Sequence, residues 1–290
     1  MLAVQREHGR SVVVVWSYSG AKRSVWIAST DTRLHAIDVT PDGEKVVAAG
    51  TELIAGTGET RGIAFELTWN SDDELIVQRL YRCDAPVNTV AIDARGKNLA
   101  LGTGGAQSRI GQILVYACES DALLDEEIGT AGAALLWMQP VDGTVHDLEF
   151  SHDGRYLASA IGSSLRGEAR LRLTGTGRAV GRRMVHVGEV YGVAFSPDDE
   201  FLLTSGQDRA ARVWDRRTTH LLGHPLWHGR EVRDVAFLPR VLGEPLKFLS
   251  ASDDGVIRQW TMARGASALE TNVVAGVLDG FTLERGITPV

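Results

Sequence analysis

The chain has 290 residues, 44% of them hydrophobic, which is ample material for a large core. Its formal net charge of -7 offers no overall attraction to a phosphate backbone and so disfavours a nucleic-acid partner. Cys83 and Cys118 are too few for a disulfide framework, the first apolar run (residues 12–16) is shorter than a signal-peptide core, and no stretch reaches the length of a membrane span; the expectation is a cytoplasmic protein with no membrane partner.

Short runs of Val, Ile, Leu and aromatic residues separated by Gly, Asp and Ser predict an all-β chain. It opens with Val12-Val13-Val14-Val15-Trp16, the turn signal Ser17-Tyr18-Ser19-Gly20 and a strand over residues 24–30, which together read as half a unit. Complete units begin at Leu34. There a strand over residues 34–39 meets Thr40-Pro41-Asp42-Gly43, where Pro presets φ and Gly accepts a positive one, and residues 45–49 must return as a hairpin. Residues 87–92 turn likewise at Arg95-Gly96, residues 145–150 at Ser151-His152-Asp153-Gly154, and residues 190–195 at Ser196-Pro197-Asp198-Asp199. The last hairpin, from residues 232–237, has a turn stretched over residues 239–245. A third apolar run follows each hairpin, at residues 63–67, 113–116, 169–173, 211–214 and 256–260, and a more variable fourth completes the unit. Four antiparallel strands per unit make a propeller blade. The anchors Val39, Ile92, Phe150, Phe195 and Phe237 lie 53, 58, 45 and 42 residues apart, so the earlier units carry insertions. Six blades are predicted within one domain over residues 1–290, seven being the alternative. Five fuller blades occupy residues 34–80, 86–130, 141–185, 186–227 and 228–278, and residues 11–30 pair with the C-terminal segment in a closing blade.

Residues 176–260 say one thing twice. Thr176 precedes His186, and Thr218 precedes His228, by ten residues; each histidine stands nine residues before Phe195 or Phe237; Asp208 precedes Trp214, and Asp254 precedes Trp260, by six. Self-similarity at a period near forty marks a repeat architecture. With His186, Val193-Ala194-Phe195, Ser196-Pro197-Asp198 and Trp214-Asp215 in sequence, the chain resembles the WD-repeat family, and is especially similar to bacterial WD-repeat arrays. The resemblance implies a structural hydrogen-bond network of His186, Thr204, Asp208 and Trp214 in one blade, and of His228, Ser250, Asp254 and Trp260 in the next. The residue chemistry agrees, since a buried Asp, His and indole N–H each need a partner. Thr30, Cys83 and Val141 stand where earlier units would carry the histidine, so packing alone is expected to hold those blades.

No catalytic set, metal site or cofactor motif emerges. His220, His224 and His228 have helical metal-ligand spacing, but Pro225 and a strand context argue against it. The Gly-rich stretches at residues 56–58, 102–105 and 175–177 lack the Lys-Ser or Lys-Thr of a phosphate loop, and the clusters Arg178, Arg182, Arg183 and Arg209, Arg212, Arg216, Arg217 read as solvated faces. In a propeller the entry ends of the innermost strands line one rim. His35, Asn88, His146, Tyr191 and Arg233 occupy equivalent positions there, with Gln207 and Asp253 on the same face. Such a mixture suits a protein or peptide segment, and the expected function is a non-catalytic interaction scaffold or sensor platform. Two alternatives remain: a propeller enzyme or small-ligand binder using His35 and His146, and, by resemblance to arrays joined to signalling ATPases or kinases, a regulatory fragment of such a system.

Overall fold

The computed structural model describes residues 2–7, 10–16, 22–104, 110–125, 130–163, 166–262 and 276–277. Every one of its extended elements is a strand, and no described helix is long and apolar enough to cross a membrane. The first sheet has three strands, β1 (Leu2–Glu7), β2 (Arg10–Trp16) and β3 (Lys22–Ile27). The second holds β4 (Thr32–Val39), β5 (Lys45–Leu53), β6 (Thr60–Trp69) and β7 (Leu75–Cys83), and the third β8 (Val87–Ile92), β9 (Asn98–Thr103), β10 (Ile110–Asp125) and β11 (Thr130–Asp142). In the fourth are β12 (Thr144–Phe150), β13 (Tyr156–Ser163), β14 (Arg166–Leu173) and β15 (Ala179–His186); in the fifth β16 (Val190–Phe195), β17 (Phe201–Gly206), β18 (Ala210–Asp215) and β19 (Leu221–Trp227). The sixth comprises β20 (Val232–Phe237), β21 (Leu246–Ser252), β22 (Val256–Met262) and β23 (Gly276–Val277). Each sheet is an antiparallel meander in chain order, and six such sheets are what a WD-repeat β-propeller is assembled from. The described residues up to Val141 form one compact unit of three sheets, and those from Asp142 onward form another.

Two differences from expectation lie at the ends. The first sheet gains β1, paired with β2 from Leu2 opposite Val15 to Glu7 opposite Arg10, where no strand is predicted. At the other end only Gly276 and Val277 of the expected outer strand are described, paired to Ile257 and Val256; the pairing expected of residues 281–290 lies outside the described residues.

Why the apolar runs are unbroken follows from what covers them. In β5, Val46 and Ala48 pack with Val13, Val15 and Leu67 toward the first sheet, while Val47 and Ala49 pack with Val90, Leu99 and Leu101 toward the third. Alternate residues of a strand point to opposite faces, so a strand flanked by sheets on both sides needs apolar residues at every position. In the other unit, Leu202 of β17 joins Val193, Phe195 and Met184 against the fourth sheet, and Leu203 joins Val235, Phe248 and Leu226 against the sixth.

Three of the hairpin turns share one local mechanism. The hydroxyls of Thr40, Ser151 and Ser196 donate to Asp42, Asp153 and Asp198, and accept from the N–H of Lys45, Tyr156 and Phe201 at 2.9–3.1 Å. A short polar side chain thereby fixes where the second strand begins. Between sheets, carboxylates act as clasps. Asp38 Oδ2 accepts from Ile92 N–H at 2.8 Å, and Asp147 Oδ2 from Val193 N–H at 2.9 Å.

The second sheet is not held by packing alone. Glu66, 1% exposed, accepts from Tyr81 Oη at 2.9 Å and lies 3.3 Å from Lys45 Nζ and 3.5 Å from Arg79 Nη1; Lys45 also donates to Gly96 O in the third sheet at 2.8 Å. A buried carboxylate is tolerated because cations and a hydroxyl replace its water. Nor are all the arginines solvated: Arg212 is 9% exposed and pairs with Asp208, and Arg216 stacks 4.7 Å from the Tyr156 ring centre.

Candidate functional site: a row of bulged side chains

In each of β4, β8, β12, β16 and β20 the pairing to the following strand slips by one residue near the strand's start. The slips fall between Leu34 and Ala36, Val87 and Thr89, Val145 and Asp147, Val190 and Gly192, and Val232 and Asp234. The extra residues are His35, Asn88, His146, Tyr191 and Arg233. A β-bulge leaves one residue out of the ladder and re-aims its side chain, so the rim candidates are the residues that the ladder releases.

In the first unit, His35 Nε2 lies 3.2 Å from Thr51 Oγ1, and Asn88 Nδ2 donates to Gly104 O at 2.6 Å. Burial, reinforced by Arg33, lowers the His35 pKa, which keeps the ring neutral near pH 7.

In the second unit three successive bulged residues form a continuous row. The His146 and Tyr191 rings meet in a T shape at 5.4 Å between centres, and the Arg233 guanidinium lies 4.5 Å over the centre of Tyr191. That separation is within the range of a cation–π interaction. Three carboxylates frame the row. Glu189 Oε2 is 3.3 Å from His146 Nε2; Glu231 Oε2 accepts from Tyr191 Oη at 3.0 Å and forms an ion pair with Arg233 Nη2 at 2.9 Å; Asp253 takes a forked pair from Arg233 Nε and Nη2 at 2.9 and 2.7 Å. Burial, then the bond to Glu231, pushes the Tyr191 hydroxyl up to about 12, and the Arg233 fork holds Asp253 below its usual value. The planar guanidinium matches both a carboxylate and a ring face, so Arg233 is already paired with Asp253 and Tyr191 in the free chain.

Gln207 and Asp253 take matching places. Their N–H groups donate to Glu189 O and Glu231 O at 2.8 and 2.9 Å, and Gln207 Oε1 accepts from Glu189 N–H at 3.2 Å. Glu189 and Glu231 are the site residues that sequence reasoning passes over. The signal was present: Glu189-Val190-Tyr191 and Glu231-Val232-Arg233 repeat at the same 42-residue interval as the histidines.

The same unit holds two polar chains. Trp214 Nε1–H donates to Thr204 Oγ1 at 2.8 Å, Thr204 lies 2.7 Å from His186 Nε2, and His186 Nδ1 lies 3.0 Å from Asp208 Oδ1. Trp260 Nε1–H donates to Ser250 Oγ at 2.7 Å, and Ser250 is 2.7 Å from His228 Nε2. The second chain then diverges: His228 Nδ1 faces Leu226 O at 3.0 Å, while Asp254 accepts from Gly229 N–H at 2.9 Å and pairs with Arg258. Among the described residues no group of three or more His, Cys, Asp or Glu side chains is placed to hold a metal ion.

Residues 180–215 match the WD domain, G-beta repeat family. That segment runs from β15 through β18 and contains the first polar chain and Tyr191. Similarity to whole WD-repeat proteins is broader and weaker. The chain is 25% identical over 258 residues to transducin beta-like protein 3 of Rattus norvegicus, covering 85% of this chain and 28% of that protein. It is 28% identical over 160 residues to WD repeat-containing protein 1 of Xenopus tropicalis, 52% of this chain and 23% of the relative. Over 154 residues it is 29% identical to Protein HIR1 of Phaeosphaeria nodorum, 50% of this chain and 14% of the relative. The chain thus spans well under a third of each of these relatives. All three relatives are eukaryotic, which gives the expected likeness to bacterial WD-repeat arrays no support.

Proposed function

We propose that the chain is a non-catalytic interaction platform that takes a protein or peptide segment across the bulged row. The observation that carries this reading is the continuity of His146, Tyr191 and Arg233 at equivalent positions of three successive sheets. An aromatic ring with a guanidinium and carboxylates around it combines area with directed hydrogen bonds, the composition that dominates binding energy at protein interfaces. Similarity to WD-repeat proteins supports a scaffold role, while fold by itself assigns no partner. A reducing, cytoplasmic setting belongs to the same proposal and rests on Cys83 and Cys118 both being free thiols.

Affinity capture from the native host tests it. Wild type, Tyr191→Ala and Arg233→Ala are compared at matched thermal midpoints, with Arg178→Ala as an exposed control away from the row. A partner held by wild type and the control, and reduced at least tenfold by each row variant, is expected; undiminished recovery by both row variants would exclude the row as the binding surface.

A further inference from the structure

The strands that carry the row are tied again at their far ends. β12 leads into Ser151-His152-Asp153-Gly154, and β16 into Ser196-Pro197-Asp198-Asp199. One carboxylate spans the two turns. Asp199 Oδ1 accepts from His152 N–H at 2.9 Å and lies 2.9 Å from His152 Nδ1, while Oδ2 accepts from Asp153 N–H at 3.0 Å. Asp199 is set in place by a left-handed backbone (φ 55°), and its carbonyl accepts from Arg216 Nε. A second tie runs onward, from Asp198 Oδ2 to Arg240 Nη1 at 2.9 Å in the stretched turn after β20.

The charges around His152 come from four turns. Asp153 on its own turn and Asp198 and Asp199 on the next are the anions; Arg155, 3.8 Å from Asp153, and Arg216 and Arg240, each engaged by the fifth sheet's turn, are the cations. The His152 side chain is 53% exposed, so solvent supplies and removes its proton directly.

We infer that His152 and Asp199 form a pH-set latch between the fourth and fifth sheets, tight when the imidazole is protonated and looser when it is neutral. With both ring nitrogens protonated, Nδ1–H donates to Asp199 Oδ1 and the pair carries opposite charges. Loss of the proton to solvent removes the ring charge and admits the tautomer whose bare Nδ1 faces the carboxylate. The hydrogen bond to Asp199 raises the His152 pKa above 6.5 against the opposing effect of burial. The latch is therefore fully engaged below 6.5 and weakens as pH rises through the folded-state value. The same two strands meet midway at Asp147 and Val193, and at the row through His146 and Tyr191, so the latch acts on the spacing of strands that bear the row. It stands whether or not the row binds a partner.

The test is an NMR titration of the His152 ring in the full chain, with urea unfolding at about pH 5.5 and about pH 8.5 for wild type, His152→Gln and Asp199→Asn. His152 is expected to titrate above 6.5 in wild type and to shift downward in Asp199→Asn. Stability lost by wild type between the two pH values should exceed that lost by His152→Gln, whose exposed position lets it fold. A wild-type His152 titrating at or below 6.5, or an equal pH response in His152→Gln, would overturn the latch.

Discussion

His186 is buried and its pKa is lowered, chiefly by desolvation, so it enters the core neutral with a single ring proton. With a single ring proton, Thr204 O–H donates to Nε2 and Nδ1–H donates to Asp208, while the Arg212 guanidinium lies against the same Nδ1 and pairs with the Asp208 carboxylate. Burial pushes Asp208 up, but His186 and Arg212 outweigh it and hold the carboxylate well below the usual range. His228 solves the same problem without an acid, through Leu226 O, although Asp254 is spaced from Trp260 as Asp208 is from Trp214. Loss of Asp208 therefore strands both His186 N–H and Arg212, whereas loss of Asp254 leaves the second chain of hydrogen bonds intact. Asp208→Ala is expected to cost about 3 kcal/mol, as removal of one partner from a buried pair does. Asp254→Ala is expected to cost about 1 kcal/mol. Urea unfolding of the two variants measures the difference; equal losses would mean that the pair beside His186 has no special weight.

At the scale of elements, what the hairpins do locally was readable in the chain. Thr40, Ser151 and Ser196 each stand two residues before an Asp, and that spacing belongs to a turn wherever it occurs. The Glu66 cluster was not readable, because Lys45, Glu66, Arg79 and Tyr81 lie on three strands and meet only once the second sheet is in register, with Gly96 added from the hairpin of the third. Glu66→Ala should destabilise by about 3 kcal/mol, leaving cations with no anion in the core, and Tyr81→Phe by about 1 kcal/mol, since only one hydrogen bond is lost. A thermal scan of both variants checks the order; a Glu66→Ala protein as stable as wild type would make the cluster incidental to the second sheet.

Across the whole molecule, titrating groups pull against one another. His186 and His228 are buried with lowered pKa values, so they contribute stability that is complete above 6.5 and lost as pH falls below it. Asp208 and Asp254, raised by burial but lowered on balance by their hydrogen bonds, add a loss that begins only below 3.8. His152 runs the other way, favouring the folded state below 6.5. The fifth and sixth sheets are thus expected to weaken in two stages on acidification, followed through Trp214 and Trp260 fluorescence. Asp208→Asn should shrink the second stage and leave the stage assigned to His228; an unchanged acid profile would detach the carboxylate from acid unfolding.

The chain by itself determined the all-β character, the hairpins, the unit repeat and the positions of both polar chains. These depend on alternation and spacing within some forty residues of chain, even where His186, at the end of the fourth sheet, meets its partners on the fifth. Only the tertiary structure decided that Asp254 leaves His228 to a backbone carbonyl, that Arg212 and Arg216 turn inward, and that buried Glu66 gathers two partly exposed cations. It also decided that His146, Tyr191 and Arg233 touch. A bulge releases each of them from its own ladder, but which ring meets which guanidinium depends on how adjoining sheets stack, and no periodicity along one strand encodes that distance.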